Sequence, residues 1–205
     1  MDTLDLKKQY APLLKPSAKQ AQFVDVPRLS FLMIDGAGDP NSAPFPEAVS
    51  ALYSAAYTLK FAIRKACAID YPVMALEGLW WVEGNAPFSS YSYTAREDWR
   101  WTAMIMLPDF VAAEDVASAV TAAQEKKPNP ATARLRLEQF EEGKVAQIMH
   151  LGPYATEPAT VEALHAFVEA EGYHLHGKHH EIYLSDPTRT APERMKTILR
   201  HPVTR

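Results

Sequence analysis

The chain is poor in the patterns that most directly announce a function. Its 205 residues include a single cysteine, Cys67. One thiol forms no internal disulfide, which fits a reducing cytoplasm, the compartment expected here. No apolar run approaches membrane-spanning length. The polar opening MDTLDLKKQY is followed by no apolar signal core, so neither secretion nor a membrane partner is expected. Basic tracts are missing as well: 21 Lys and Arg stand against 25 Asp and Glu, so nucleic acid is a poor partner. Residues 1–27 are expected to form a short helix or an extended arm, too little helix for a helix-turn-helix reader. The sequence has no Walker motif, dinucleotide fingerprint, HExxH or serine elbow. What remains is an ordinary globular composition, 47% hydrophobic and 22% charged, sized for one substantial core or two small fused modules.

The chain's many prolines fall largely at the ends of periodic segments. Arg28–Asp35 reads as a strand that ends in the turn Gly36-Ala37-Gly38-Asp39-Pro40. From Pro46 to about Lys65 a helix is predicted, because Phe45, Val49, Leu52, Ala56, Leu59 and Ile63 recur at three- and four-residue intervals. Tyr53 and Tyr57 lie on its flank, as core or as the edge of a cavity. Met74–Val82 and Trp99–Leu107 read as two strands joined by a loop that carries Tyr91 and Tyr93. Their four tryptophans suit an apolar or cationic ligand, or fill the core between sheet and helix. Glu77, Leu79 and Trp81 share one face, and Trp99, Trp101, Ala103 and Ile105 share one on the second strand. One of Trp80 and Trp81 belongs to the core and the other does not.

A second helix is predicted over Ala112–Lys126, and residues 127–133 form the boundary between two halves. A hairpin follows, from Arg134–Phe140 through Glu141-Glu142-Gly143-Lys144 to Val145–Leu151. The next helix, about Glu157–Glu171, turns Val161, Leu164 and Val168 inward and is closed by Gly172. Thr190-Ala191-Pro192-Glu193 has the form of a capping box and predicts a short C-terminal helix.

Chemistry concentrates on HHEIYLSDP, His179–Pro187. Alternation puts His179, Glu181 and Tyr183 on one face of a strand and His180, Ile182 and Leu184 on the other. A carboxylate inside such a run is costly unless it is used, or unless the strand is an edge with a wet face. His174, His176, His179 and His180 crowd the same region. Solvated or hydrogen-bonded histidines explain them better than a metal, and no metal or other cofactor is expected.

Strand, glycine turn, long helix, strand, strand describes residues 28–107 and again 145–185. Such modules, fused, form one pseudo-symmetric sheet with helices on one face and a groove on the other. At this point the chain resembles the GyrI-like small-molecule-binding, or effector-binding, family, and is most similar to its stand-alone branch. The likeness rests on GAGDP (36–40), ALYSAAYTLKF (51–61), LEGLWWV (76–82), WRWTAMI (99–105), HHEIYLSDP (179–187) and RTAPERMKTILRHPV (189–203).

The resemblance implies an α+β fold of tandem strand-helix-strand-strand modules in a single domain, 1–205. Its parts would be 28–107, a helix and connector over 108–133, 134–186, and a C-terminal helix over 187–205. It implies bulky, apolar, often cationic ligands in the groove, a buried late-strand glutamate matched by Glu181, and aromatic walls. The expected lining is Trp81, Trp99, Trp101, Glu77, Tyr154 and Tyr57. Some stand-alone members are hydrolases that open the cyclopropane ring of cyclopropanoid DNA-alkylating compounds. In that role Glu181 would be the general base and Tyr183 or Tyr154 would position water or substrate. The alternative is a non-catalytic binding module that sequesters a drug or serves as a transcriptional co-regulator. A monomer or homodimer is expected.

Overall fold

The computed structural model describes residues 2–84 and 96–205, so the predicted loop tyrosines Tyr91 and Tyr93 lie outside the described residues. The chain opens with β1 (Asp2–Thr3), α1 (Leu6–Gln9) and α2 (Ala11–Leu14). The Asp5 carboxylate starts α1 by accepting the Lys8 N–H at 3.0 Å. Then come β2 (Gln22–Val26), β3 (Leu29–Ala37), α3 (Pro44–Cys67), β4 (Ile69–Asp70), β5 (Leu76–Val82) and β6 (Trp99–Leu107). The rest is α4 (Ala113–Lys126), β7 (Arg136–Phe140), β8 (Gly143–Leu151), α5 (Glu157–Ala170), β9 (His174–Leu175), β10 (His179–Tyr183) and β11 (Lys196–Thr204). Among the described residues no helix is long and apolar enough to cross a membrane.

The main sheet runs β2-β8-β11-β10-β5-β6-β3-β7, every neighbour antiparallel, with β9 added to β11. Only Pro27 and Arg28 separate β2 from β3, and only Glu141 and Glu142 separate β7 from β8. These pairs sit at opposite ends of the strand order, so the sheet curls until its two edges come close. The repeat is β3-α3-β5-β6 and β8-α5-β10-β11. Each module pairs its first strand with its last, and the two join through β5 and β10.

Both long helices cover the same face. α3 buries Ala48, Ala51, Leu52, Ala55, Ala56, Leu59 and Ile63, the small alanines letting it lie close to the strands. α5 packs Val161, Leu164 and Val168 on Ala146, Ile148 and Leu199. Leu6, Leu13 and Leu14 of the N-terminal arm join Leu79, Ile182 and Ile198 in the core on the other face.

Three expectations are corrected. The C-terminal helix is instead a single turn of 3₁₀ helix, Pro192–Arg194, and then the strand β11. β11 lies between β8 and β10 and is buried from Thr197 to Val203 on both faces. Burial on both faces removes the alternation of a half-exposed strand, and the apolar residues left at Met195, Ile198 and Leu199 mimic helical spacing. The second module accordingly extends to β11. The 134–151 hairpin does not form either: β7 pairs with β3, while β8 pairs with β2 and β11. Its connecting Glu142 is pulled inward to His180 and Arg200, which splays the strands apart. Finally, the cleft lies on the helix-bearing face, between α3 and the start of α5, and not on the opposite one.

Candidate functional site

Register decides what faces Glu181. Gly78 of β5 stands directly opposite it, so Leu76, Gly78 and Trp80 share its face, while Glu77, Leu79 and Trp81 look the other way. A Cβ at Gly78 would come within 2.7 Å of the Trp80 indole nitrogen and 3.2 Å of the Tyr183 hydroxyl. Glycine there leaves the space in which Trp80, Tyr183 and Glu181 meet.

The Trp80 indole N–H donates to the Tyr183 hydroxyl at 3.0 Å, and Tyr183 donates its own proton to Glu181 Oε2 at 2.7 Å. The indole occupies the oxygen of the tyrosine and so orients its O–H toward the carboxylate. Burial, then the Glu181 charge, raises the Tyr183 pKa well above its usual value, which keeps the phenol protonated. Glu181 Oε1 faces His179 Nε2 at 3.3 Å. Glu181 as a residue is 6% exposed.

Trp80, Glu181 and Tyr183 line a cleft of about 1250 Å³. Phe45, Val49, Tyr53 and Tyr57 of α3 form one wall. Trp80, Trp99, Glu181 and Tyr183 form the floor, and Tyr154 and Glu157 the second wall. Phe45 packs on Trp80 at 5.2 Å, Trp99 meets Trp80 edge-on at 5.2 Å, and Tyr154 meets Tyr183 edge-on at 5.7 Å. Such tilted contacts leave ring faces oriented for an aromatic guest. Tyr57, Tyr154 and Leu184 are exposed around the mouth.

Of the residues predicted from sequence, Glu181, Tyr183, Trp99, Tyr154 and Tyr57 come together at this cleft. Trp101 does not. It is wholly buried, lies over Gly36 and meets Phe45 edge-on. Trp81 does not either: it faces away, with Lys178 Nζ 3.6 Å from its ring centroid. Glu77 borders the cleft, but its carboxylate is committed to a buried network on the far face. There it contacts His180 Nε2 at 2.9 Å, and Glu142 contacts His180 Nδ1 at 2.9 Å and Arg200 Nη1 at 3.0 Å. Burial opposes ionisation in this network. The two carboxylates nevertheless hold His180 up to about 9, and His180 with Arg200 brings Glu142 down to about 2. Arg200 Nη2 also donates to the Leu13 carbonyl and so ties the N-terminal arm to the sheet.

The predicted site lacked Trp80, Gly78 and Glu157. Glu157 is 1% exposed, and burial followed by the Glu181 charge pushes its carboxyl up to about 9. Its position was legible: it lies four residues before Val161 and continues the buried stripe of α5. The crowded histidines are split between faces. His180 enters the far network, while His179, His201 and His165 pack ring to ring at 5.8 and 5.3 Å. Among the described residues no three His, Cys, Asp or Glu side chains are arranged to hold a metal.

An aromatic cleft with a buried carboxylate, on a sheet of two repeated modules, defines a small-molecule-binding domain. Residues 105–203 match the family model described as the GyrI-like small molecule binding domain. A crystal structure of an uncharacterized conserved protein from Listeria innocua is 40% identical, covers 98% of this chain and 100% of its own, and superposes with a TM-score of 0.89. A second Listeria innocua structure, described as a hydrolase, is 39% identical over 98% and 100%, with a TM-score of 0.84. The EcmrR C-terminal domain shares the fold alone, at 13% identity over 91% and 98% and a TM-score of 0.58. No curated protein matches. The chain belongs to the GyrI-like small-molecule-binding family.

Proposed function

We propose that the cleft binds bulky apolar cations, with Glu181 as the counter-charge and Trp80, Trp99, Tyr183 and Tyr154 as the cage. The observation that carries this reading is a buried carboxylate on the floor of an aromatic cleft, held in place by Tyr183. A delocalised cation there gains both charge pairing and ring contact, each strengthened by the exclusion of water. The test compares methyltriphenylphosphonium with the neutral triphenylphosphine oxide, followed by tryptophan fluorescence. Glu181→Gln keeps the shape and removes the charge. The cation should lose at least about tenfold in affinity and the oxide little. Equal losses would refute the counter-charge role.

A second reading, hydrolysis of cyclopropanoid electrophiles, is supported by the Listeria relative described as a hydrolase. Water would attack the strained ring carbon while Glu181 takes its proton. The ring C–C bond would break toward a conjugated carbonyl, whose oxygen is then protonated. Single-turnover ring opening of a spirocyclopropyl dienone, read by absorbance, tests it. A wild-type rate equal to buffer removes this reading and leaves the binding role, whether that role is sequestration or effector sensing.

A further inference from the structure

Glu157 and Glu181 reach one cleft from two elements, α5 and β10. Both are more than nine-tenths buried. Glu157 Oε1 has no hydrogen-bond partner among the described residues. Two carboxylates confined together in a water-poor site do not both ionise readily, because each repels the other and neither is well solvated. A single proton on the pair relieves both costs, and so does a cation placed between them.

We propose that a cation entering this cleft displaces the proton held by the Glu157–Glu181 pair, so that cation uptake and proton release are one step. This rests on the cation-binding reading and narrows its ligand class to permanent, delocalised cations, which bring no proton of their own. No covalent bond changes. The proton passes from the carboxyl to buffer as the guest takes over its charge.

Of the groups facing the pair, Glu157 is the carboxyl whose charge burial and Glu181 oppose, and His179 Nε2 lies 3.3 Å from Glu181 Oε1 as a further titratable neighbour. Tyr183 on β10, Tyr154 before α5 and Tyr53 on α3 all titrate above their usual range, chiefly through burial. His150 on β8 is lowered by burial, which disfavours its charged form. Thr197 on β11 favours ionised Glu157 but is outweighed by burial and Glu181. Asp186, beyond β10, carries its own hydrogen bonds to Thr188 and is ionised throughout. Lys7, Lys15, Arg96 and Arg189 line the outer cleft.

Calorimetry of the wild-type protein with methyltriphenylphosphonium, in phosphate and in Tris at pH 7.5, counts the protons exchanged. Release approaching about one proton per cation is expected, with affinity rising by up to about tenfold per pH unit as pH climbs toward 9. Triphenylphosphine oxide should exchange none, and Glu157→Gln should abolish the release. A cation that binds with no proton exchanged overturns this inference and leaves the cation reading intact. Release retained in Glu157→Gln also overturns it. Equal binding of cation and oxide, or no binding of either, overturns both readings. The wild-type proton count decides even if the variant folds poorly.

Discussion

Glu157→Gln should stabilise the unliganded protein at neutral pH, although it alters a buried and well-packed side chain. The unfolded Glu157 titrates near 4.5, whereas in the fold burial and Glu181 raise it to about 9. Because the folded-state value is the higher one, folding takes up a proton between these limits. Stability contributed by this group is therefore intact below pH 4.5 and falls as pH rises toward 9. Each pH unit costs about 1.4 kcal/mol, so at pH 7 the penalty is on the order of 3 kcal/mol. Glutamine mimics the protonated carboxyl without needing a proton, so it escapes the penalty. Urea unfolding of both proteins at pH 5, 6, 7 and 8 measures the effect. The variant's advantage should be small at pH 5 and grow steadily. All other titrating groups cancel in the difference, apart from Glu181, whose charge acts directly on Glu157. An advantage that does not change with pH would refute the claim that Glu157 is held protonated by this environment.

Gly36→Ala should cost about 1–3 kcal/mol and lower the urea midpoint, because a Cβ there would fall inside the Trp101 ring; an unchanged midpoint would mean that the indole has room to move. Glu142→Gln should cost about 3–5 kcal/mol by leaving His180 and Arg200 buried without their shared carboxylate. That deficit should be greatest between about pH 4.5 and 6.5. Glu142, lowered to about 2, loses its contribution as pH falls below 4.5, and His180, raised to about 9, loses its own as pH rises above 6.5. A deficit independent of pH, read from thermal midpoints, would show that the loss is packing and not charge.

Periodicity alone determined much of this protein. The apolar stripe of α3 appears at its predicted positions from Leu52 to Ile63, and Trp99–Leu107 is the strand predicted. Alternation placed Glu181 and Tyr183 on one face, and the structure joins them by a hydrogen bond. The stripe of α5 even pointed to Glu157. Glu157 is a charged residue in the first turn of the helix, where burial is not the expected outcome, and only the fold shows it buried.

Only tertiary structure decided the rest. Alternation says which residues share a face but not which face a neighbouring strand presents. The choice between Trp80 and Trp81 therefore waited on the pairing of Gly78 with Glu181, about a hundred residues away in sequence. β11 loses its period of two because it is covered on both sides, by α5 and by the N-terminal arm. Glu142 turns inward because His180 and Arg200 wait there, on strands that lie far from it along the chain. These are long-range pairings, and the energy that fixes them exists only once the sheet has assembled.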